Sequence, residues 1–90
     1  MSFHAYVLWS GTSSRFYCGS TDDVEKRLRQ HNDPDYRITL TTKKFKGPWI
    51  LIWSHANATR SEAMGLEKRI KKRGIRRFLE KEAPESLKGC

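Results

Sequence analysis

The chain has 90 residues, with 18 Lys and Arg against 10 Asp and Glu and a formal charge of +8. That length suits one hydrophobic core, no apolar run approaches the roughly 18 to 20 residues a membrane span needs, and two cysteines, Cys18 and Cys90, form neither a secreted disulfide framework nor a CxxC metal pair. A bilayer-spanning or disulfide-stapled protein is therefore excluded, and a positive field on so short a chain points to a polyanionic partner, nucleic acid first and a membrane not at all.

Phe3 to Trp9 has no basic segment before it and no cleavage-site pattern after it, so it is expected to be a first strand and not a signal peptide, in a cytoplasmic protein. Ser10 to Ser14 are turn formers, and Arg15 to Cys18 resumes a strand-like run, which together predict a hairpin. Asp22 with Glu25 three residues later resembles a capping box with an aspartate as cap, and Val24, Leu28 and His31 recur at helical spacing. A helix over about Asp23 to His31 is expected, stopped by Asn32, Asp33 and Pro34.

Residues 33 to 48 form the least regular stretch, an expected functional loop whose Arg37, Lys43, Lys44 and Lys46 could grip phosphates. Trp49 to Trp53 is apolar on both alternating faces, as suits a central strand covered on both sides. Thr59 to Glu62 is a capping box opening a helix to about Arg73, where Gly74 can take the left-handed C-terminal position. A shorter helix from Ile75 to about Lys81 is expected to pack Ile75, Phe78 and Leu79. Pro84 to Cys90 reads as a frayed tail. The expected fold is α+β: a small three-stranded antiparallel or mixed sheet flanked by helices in the order β-β-α-β-α-α, with a domain over 3–82 and a flexible tail over 83–90.

A few residues break this ordinary pattern. On the second helix Ala63, Leu66 and Ile70 share an apolar sector, and Glu67 falls inside it. A carboxylate there is costly unless it is paired, as with Lys71 at i+4, or binds a cation. Arg27 and His31 are neighbours on the first helix, with ordinary readings as a solvated arginine and a histidine favoured by the helix dipole. Tyr6 and Tyr17 sit on the two strands of the hairpin, where aromatics are normal.

Their combination is less ordinary. His4-Ala5-Tyr6 and Tyr17-Cys18-Gly19 stand at hairpin separation, followed by Arg27 and His31 on one helix and Glu67 on the next long one, so that the chain from about Phe3 to Leu79 resembles the GIY-YIG nuclease family. The likeness is to small stand-alone bacterial members. It differs in having His4-Ala5 for Gly-Ile and Cys18 for Ile, and in having no asparagine after Asn57, where several members carry a late one.

The resemblance implies a metal-dependent endonuclease that hydrolyses phosphodiesters, DNA ahead of RNA, with low sequence specificity and a role in DNA repair or recombination. It assigns Tyr6 as general base or water-positioning group, Tyr17 as an orienting hydroxyl, Arg27 as a phosphate clamp and His31, at the rim, as an accessory proton carrier or phosphate ligand. Glu67 would hold one divalent ion, Mg²⁺ or else Mn²⁺. Gly19 is expected to serve backbone geometry. Tyr6, Tyr17, Arg27 and Glu67 should then converge on one concave positive face, with Lys68, Lys71, Lys72 and Arg73 adding phosphate contacts. The rival reading is a nucleic-acid-binding module that kept this scaffold without cleavage, and a third makes the basic helices a protein-interaction surface.

Overall fold

In the computed structural model, residues 2–33 and 48–88 are described. Strands β1 (Phe3–Ser10) and β2 (Arg15–Thr21) form the expected hairpin, followed by helix α1 (Val24–Asn32), strand β3 (Ile50–Asn57), helices α2 (Arg60–Arg73) and α3 (Ile75–Glu82), and a 3-10 turn at Pro84–Leu87. The sheet is antiparallel throughout, in the order β2-β1-β3. The α+β reading and the order of elements thus hold.

The central strand is β1 and not β3, because every residue from Ala5 to Ser10 is buried whereas Ile50 and Leu51 on β3 are exposed. The apolar run that suggested a central strand owes its composition to two other demands. Trp49 precedes the strand and fills the core at 2% exposure. Further on, Val7 pairs with Trp53 and Leu8 with Leu51, so Ile52 is an extra residue in β3. That bulge brings both Ile52 and Trp53 to the same core cluster.

Strand alternation divides the interior in two. Tyr6 and Leu8 pack with Trp49, Tyr17, Val24 and Leu28 on the side of α1. Val7 and Cys18 pack with Ile70 of α2 and with Phe78 and Leu79 of α3 on the other. Burial of the Cys18 thiol pushes it up to about 12, with the Glu67 charge adding to the rise, so it is an inert core residue.

The local signals act with small displacements. α1 is capped by Asp23, whose carboxylate accepts the Lys26 N–H at 3.0 Å, and not by Asp22. Thr21 holds that cap by accepting the Asp23 N–H at 3.2 Å. Thr59 caps α2, accepting the Glu62 N–H at 3.1 Å. Gly74 joins α2 to α3 at φ 100°, a backbone state that favours glycine, and its carbonyl accepts the Phe78 N–H that starts α3. Beyond Ala83 the expected frayed tail begins instead as a 3-10 turn, which packs Leu87 against the core.

Candidate active site

Tyr6 is at the middle of the central strand and Gly19 stands directly opposite it on β2. A Cβ on Gly19 would lie 2.7 Å from the Tyr6 hydroxyl oxygen and 3.1 Å from Tyr17 Cε2. Gly19 is therefore required for space, with no unusual φ, so that the Tyr6 ring can cross β2. This replaces the expected backbone role. The Tyr6 and Tyr17 rings lie 6.3 Å apart between centroids.

His31 completes the cluster from the last turn of α1. Its Nε2 lies 3.0 Å from the Tyr6 hydroxyl, and its ring is 4.7 Å from that of Tyr17. It is 6% exposed and so lies within the core, not at the rim. The spacing Val24, Leu28, His31 is that of a buried stripe, and His31 continues it inward. Burial, then the Arg27 charge, lowers its pKa to about 4, so the ring is neutral near pH 7. Where Nε2 accepts from Tyr6 the proton is carried on Nδ1, and in the other tautomer Nε2 donates to the phenol oxygen; Nδ1 is buried and finds no hydrogen-bond partner among the described residues in either case.

The Tyr6 pKa is raised, by burial first and then by Tyr17 and Glu67, against a lowering by Arg27. Two conclusions follow. Arg27 and Glu67, from α1 and α2, are both close enough for their charges to act on the same hydroxyl. And Tyr6, 2% exposed, is a neutral phenol here, not a ready base.

Glu67 is 21% exposed, and its Oε2 accepts from Lys71 Nζ at 3.0 Å, the i+4 pair that the spacing allowed. Lys71 is 52% exposed, so the pair is open to solvent on the lysine side. Partial burial lowers the Lys71 pKa, but the Glu67 hydrogen bond and charge outweigh it and the net shift is upward.

Among the described residues no three His, Cys, Asp or Glu side chains gather as a cage. Glu67, part-exposed, is the carboxylate of this region that could ligate a hydrated divalent ion.

Beside this cluster, Arg27 lines a pocket of about 110 Å³ with Phe3, Ser20, Thr21, Asp22 and Arg60. Neither tyrosine nor Glu67 lines it, so this pocket does not bring Tyr6, Tyr17, Arg27 and Glu67 together on the expected single concave face. Arg60 was missed from the sequence, where it is only the first residue of a capped helix. Asn32 was missed too: its side chain accepts the Trp49 N–H at 2.6 Å and donates to the Trp49 carbonyl at 2.9 Å, tying the end of α1 to the start of β3. Arg37, Lys43, Lys44 and Lys46 lie outside the described residues. Lys68, Lys72 and Arg73 are all exposed on α2, and Lys72 and Arg73 line one hollow beside α3.

A tyrosine pair from a hairpin, an arginine and histidine from the next helix and a lone glutamate from the following long helix stand in the order and fold that the motifs implied. The profile described as the GIY-YIG catalytic domain matches residues 2–78. The chain belongs to the GIY-YIG family. It is 45% identical over 76 residues to a UPF0213 protein of Vibrio campbellii, a match covering 79% of this chain and 70% of the relative. Its fold is similar to the solution NMR structure of a UPF0213 protein from Bacillus halodurans, with a TM-score of 0.54, 25% identity and coverage of 96% and 92% of the two chains. Membership implies a nuclease-type domain with a nucleic-acid partner. Among the described residues no helix is long and apolar enough to cross a membrane.

Proposed function

We propose that the chain is a metal-dependent endonuclease that hydrolyses phosphodiesters, DNA ahead of RNA, with low sequence specificity. A role in DNA repair or recombination would follow from such an activity. The observation that carries the reading is the cluster of Tyr6, Tyr17 and His31, with the Tyr6 hydroxyl 3.0 Å from His31 Nε2, in a chain whose residues 2–78 match the GIY-YIG catalytic domain.

Arg27 would hold two oxygens of the scissile phosphate with its planar fork and stay charged throughout. Tyr17, partly exposed above Tyr6 and His31, would orient the phosphate or the attacking water. Burial raises the Tyr6 pKa and leaves that hydroxyl unable to act alone as a base, so a proton it takes from water would require its own to pass to His31 Nε2. Neutral His31 can accept it. A hydrated divalent ion, held by Glu67 once Lys71 yields, would supply Lewis-acid stabilisation of the phosphate and leaving oxygen.

The alternative, a binding module without cleavage, is favoured by one observation, the Lys71 ammonium on the Glu67 carboxylate. Labelled linear, nicked, flap, junction and RNA substrates, each incubated with Mg²⁺, Mn²⁺ or chelator, separate the two. Cleavage that depends on the ion supports the enzyme, and salt-sensitive binding without cleavage under every condition supports the module.

A further inference from the structure

Away from Glu67, α2 carries a second basic face. At about 100° per residue, Lys72, Arg69 and Arg73 lie roughly 140°, 200° and 240° round the helix from Glu67. All three line a hollow of about 480 Å³ with Phe78 and Glu82, and Arg69, Phe78 and Glu82 also border an adjoining hollow of about 320 Å³. The smaller hollow has the aromatic and apolar wall: Trp53 and Phe78 meet edge to face at 5.3 Å, Leu66 lines it beside them, and His55 lies nearly parallel to Trp53 at 6.2 Å. Glu82 is the one carboxylate lining both hollows. Among the described residues, Arg69, Lys72 and Arg73 enter no ion pair.

We propose that this groove binds single-stranded nucleic acid, with an unpaired base against Trp53 and His55 and the flanking phosphates on Arg69, Lys72 and Arg73. Aromatic faces beside a row of cations are what an unstacked strand needs, because every base offers a π-face and every linkage a charge. A duplex hides its base faces within its own stack and gains only the cations. The hollows lie in the size range of small-ligand sites, wide enough to admit a base. The groove rests on the nucleic-acid part of the proposed function and not on cleavage. It would hold a displaced or unpaired strand on one face of α2 while Glu67 serves the other, directing the protein to partly single-stranded substrates.

The full chain, in chelator, is titrated with an oligothymidylate and with an abasic strand of equal length, following anisotropy and tryptophan fluorescence. Trp9 and Trp49 are buried, so quenching by a stacked base reports chiefly on the part-exposed Trp53. The expected result is quenching by oligothymidylate and not by the abasic strand. Arg69→Ser, Lys72→Ser and Arg73→Ser together, all exposed and so compatible with folding, should weaken binding roughly ten-fold or more and flatten the salt slope by about 2, at about 0.7 per phosphate contact on single strands. His55→Ala should reduce quenching with less effect on the slope. Absence of quenching with any strand, or full quenching and affinity in the triple variant, overturns the groove. Loss of quenching in Arg27→Ala/Arg60→Ala alone also overturns it, by placing the strand at the tyrosine site. If the wild-type chain quenches as expected but cleaves nothing with Mg²⁺, the groove stands and the nuclease reading falls.

Discussion

The Tyr6 hydroxyl and His31 Nε2 lie 3.0 Å apart, although 25 residues separate them in the chain, and the bond joins the central strand to the last turn of α1. One contact thus serves the core and the candidate chemistry together. Protonation of His31 would remove Nε2 as an acceptor for the phenol's proton and leave the contact only with the phenol oxygen accepting.

Stability should therefore fall in acid through His31. Its pKa is about 4 in the folded chain against 6.5 as the ordinary value. Between those values the unfolded chain binds the extra proton and the folded chain does not, so unfolding is favoured as pH falls from 6.5 toward 4 and the loss levels off below. The full shift corresponds to about 3 kcal/mol as an upper figure. Urea titrations at pH 7, 5.5 and 4.5 should show the decline, and His31→Gln should be less stable at pH 7 but flatter across that window. An equal pH slope in both proteins would assign it to other groups.

Gly19→Ala should displace the tyrosine cluster, because its Cβ would meet the Tyr6 hydroxyl at 2.7 Å and the ring Cζ at 2.9 Å. Tyr6 cannot swing aside cheaply while it is buried and bonded to His31. We expect a loss of about 1–3 kcal/mol, as for overpacked cores. In a Tyr6→Phe background the closest of these contacts is gone, so the same change should cost less. A double-mutant cycle with no coupling would contradict the steric account.

Asn32→Ala should destabilise the chain by about 2–3 kcal/mol, since it strips two hydrogen bonds from the backbone of buried Trp49. Asn32→Asp keeps the acceptor for the Trp49 N–H but sets a carboxylate against the Trp49 carbonyl, and should be nearly as damaging at pH 7. Thermal melts compare the three proteins directly. An aspartate variant as stable as the parent would show that the bond to the carbonyl contributes little.

What the sequence revealed and what it hid divide along local and non-local lines. The capping signals at Thr59 and Gly74, the hairpin turn and the α2 stripe depend on residues a few positions apart, and each is where its spacing placed it. Glu67 was conspicuous as a carboxylate on an apolar sector, and its Lys71 partner is also one turn away. Asn32 was unreadable because its partner Trp49 is 17 residues off. Arg60 gains meaning only when folding brings it to the same pocket as Arg27. His31 was half legible: its spacing was that of a core stripe, but a polar residue at a helix end suggested solvent. β3 misled for a different reason, since its bulge turns two successive apolar residues to one face and mimics a strand covered on both.

Arg60→Ser should weaken nucleic-acid binding about three- to ten-fold and reduce the salt slope by about 0.9 on duplex, the loss of one phosphate contact. The expectation comes from the pocket Arg60 shares with Arg27 and the hydroxyl-bearing Ser20 and Thr21. Because Arg60 is exposed, melting behaviour should barely change. Affinity and slope equal to the parent would leave that pocket outside the binding surface.

The measurement closest to the central claim is cleavage of a labelled DNA by the parent and by Glu67→Gln in Mg²⁺, with binding of both followed in chelator. Glutamine keeps the size of the side chain and an oxygen for Lys71, but removes the charge that would hold the ion. Ion-dependent cleavage by the parent is expected, with a fall of at least about 100-fold in the variant, as for loss of a transition-state contact worth roughly 3 kcal/mol, and affinities within a few-fold. Cleavage by Glu67→Gln at the parent's rate would contradict the assignment of the ion to Glu67.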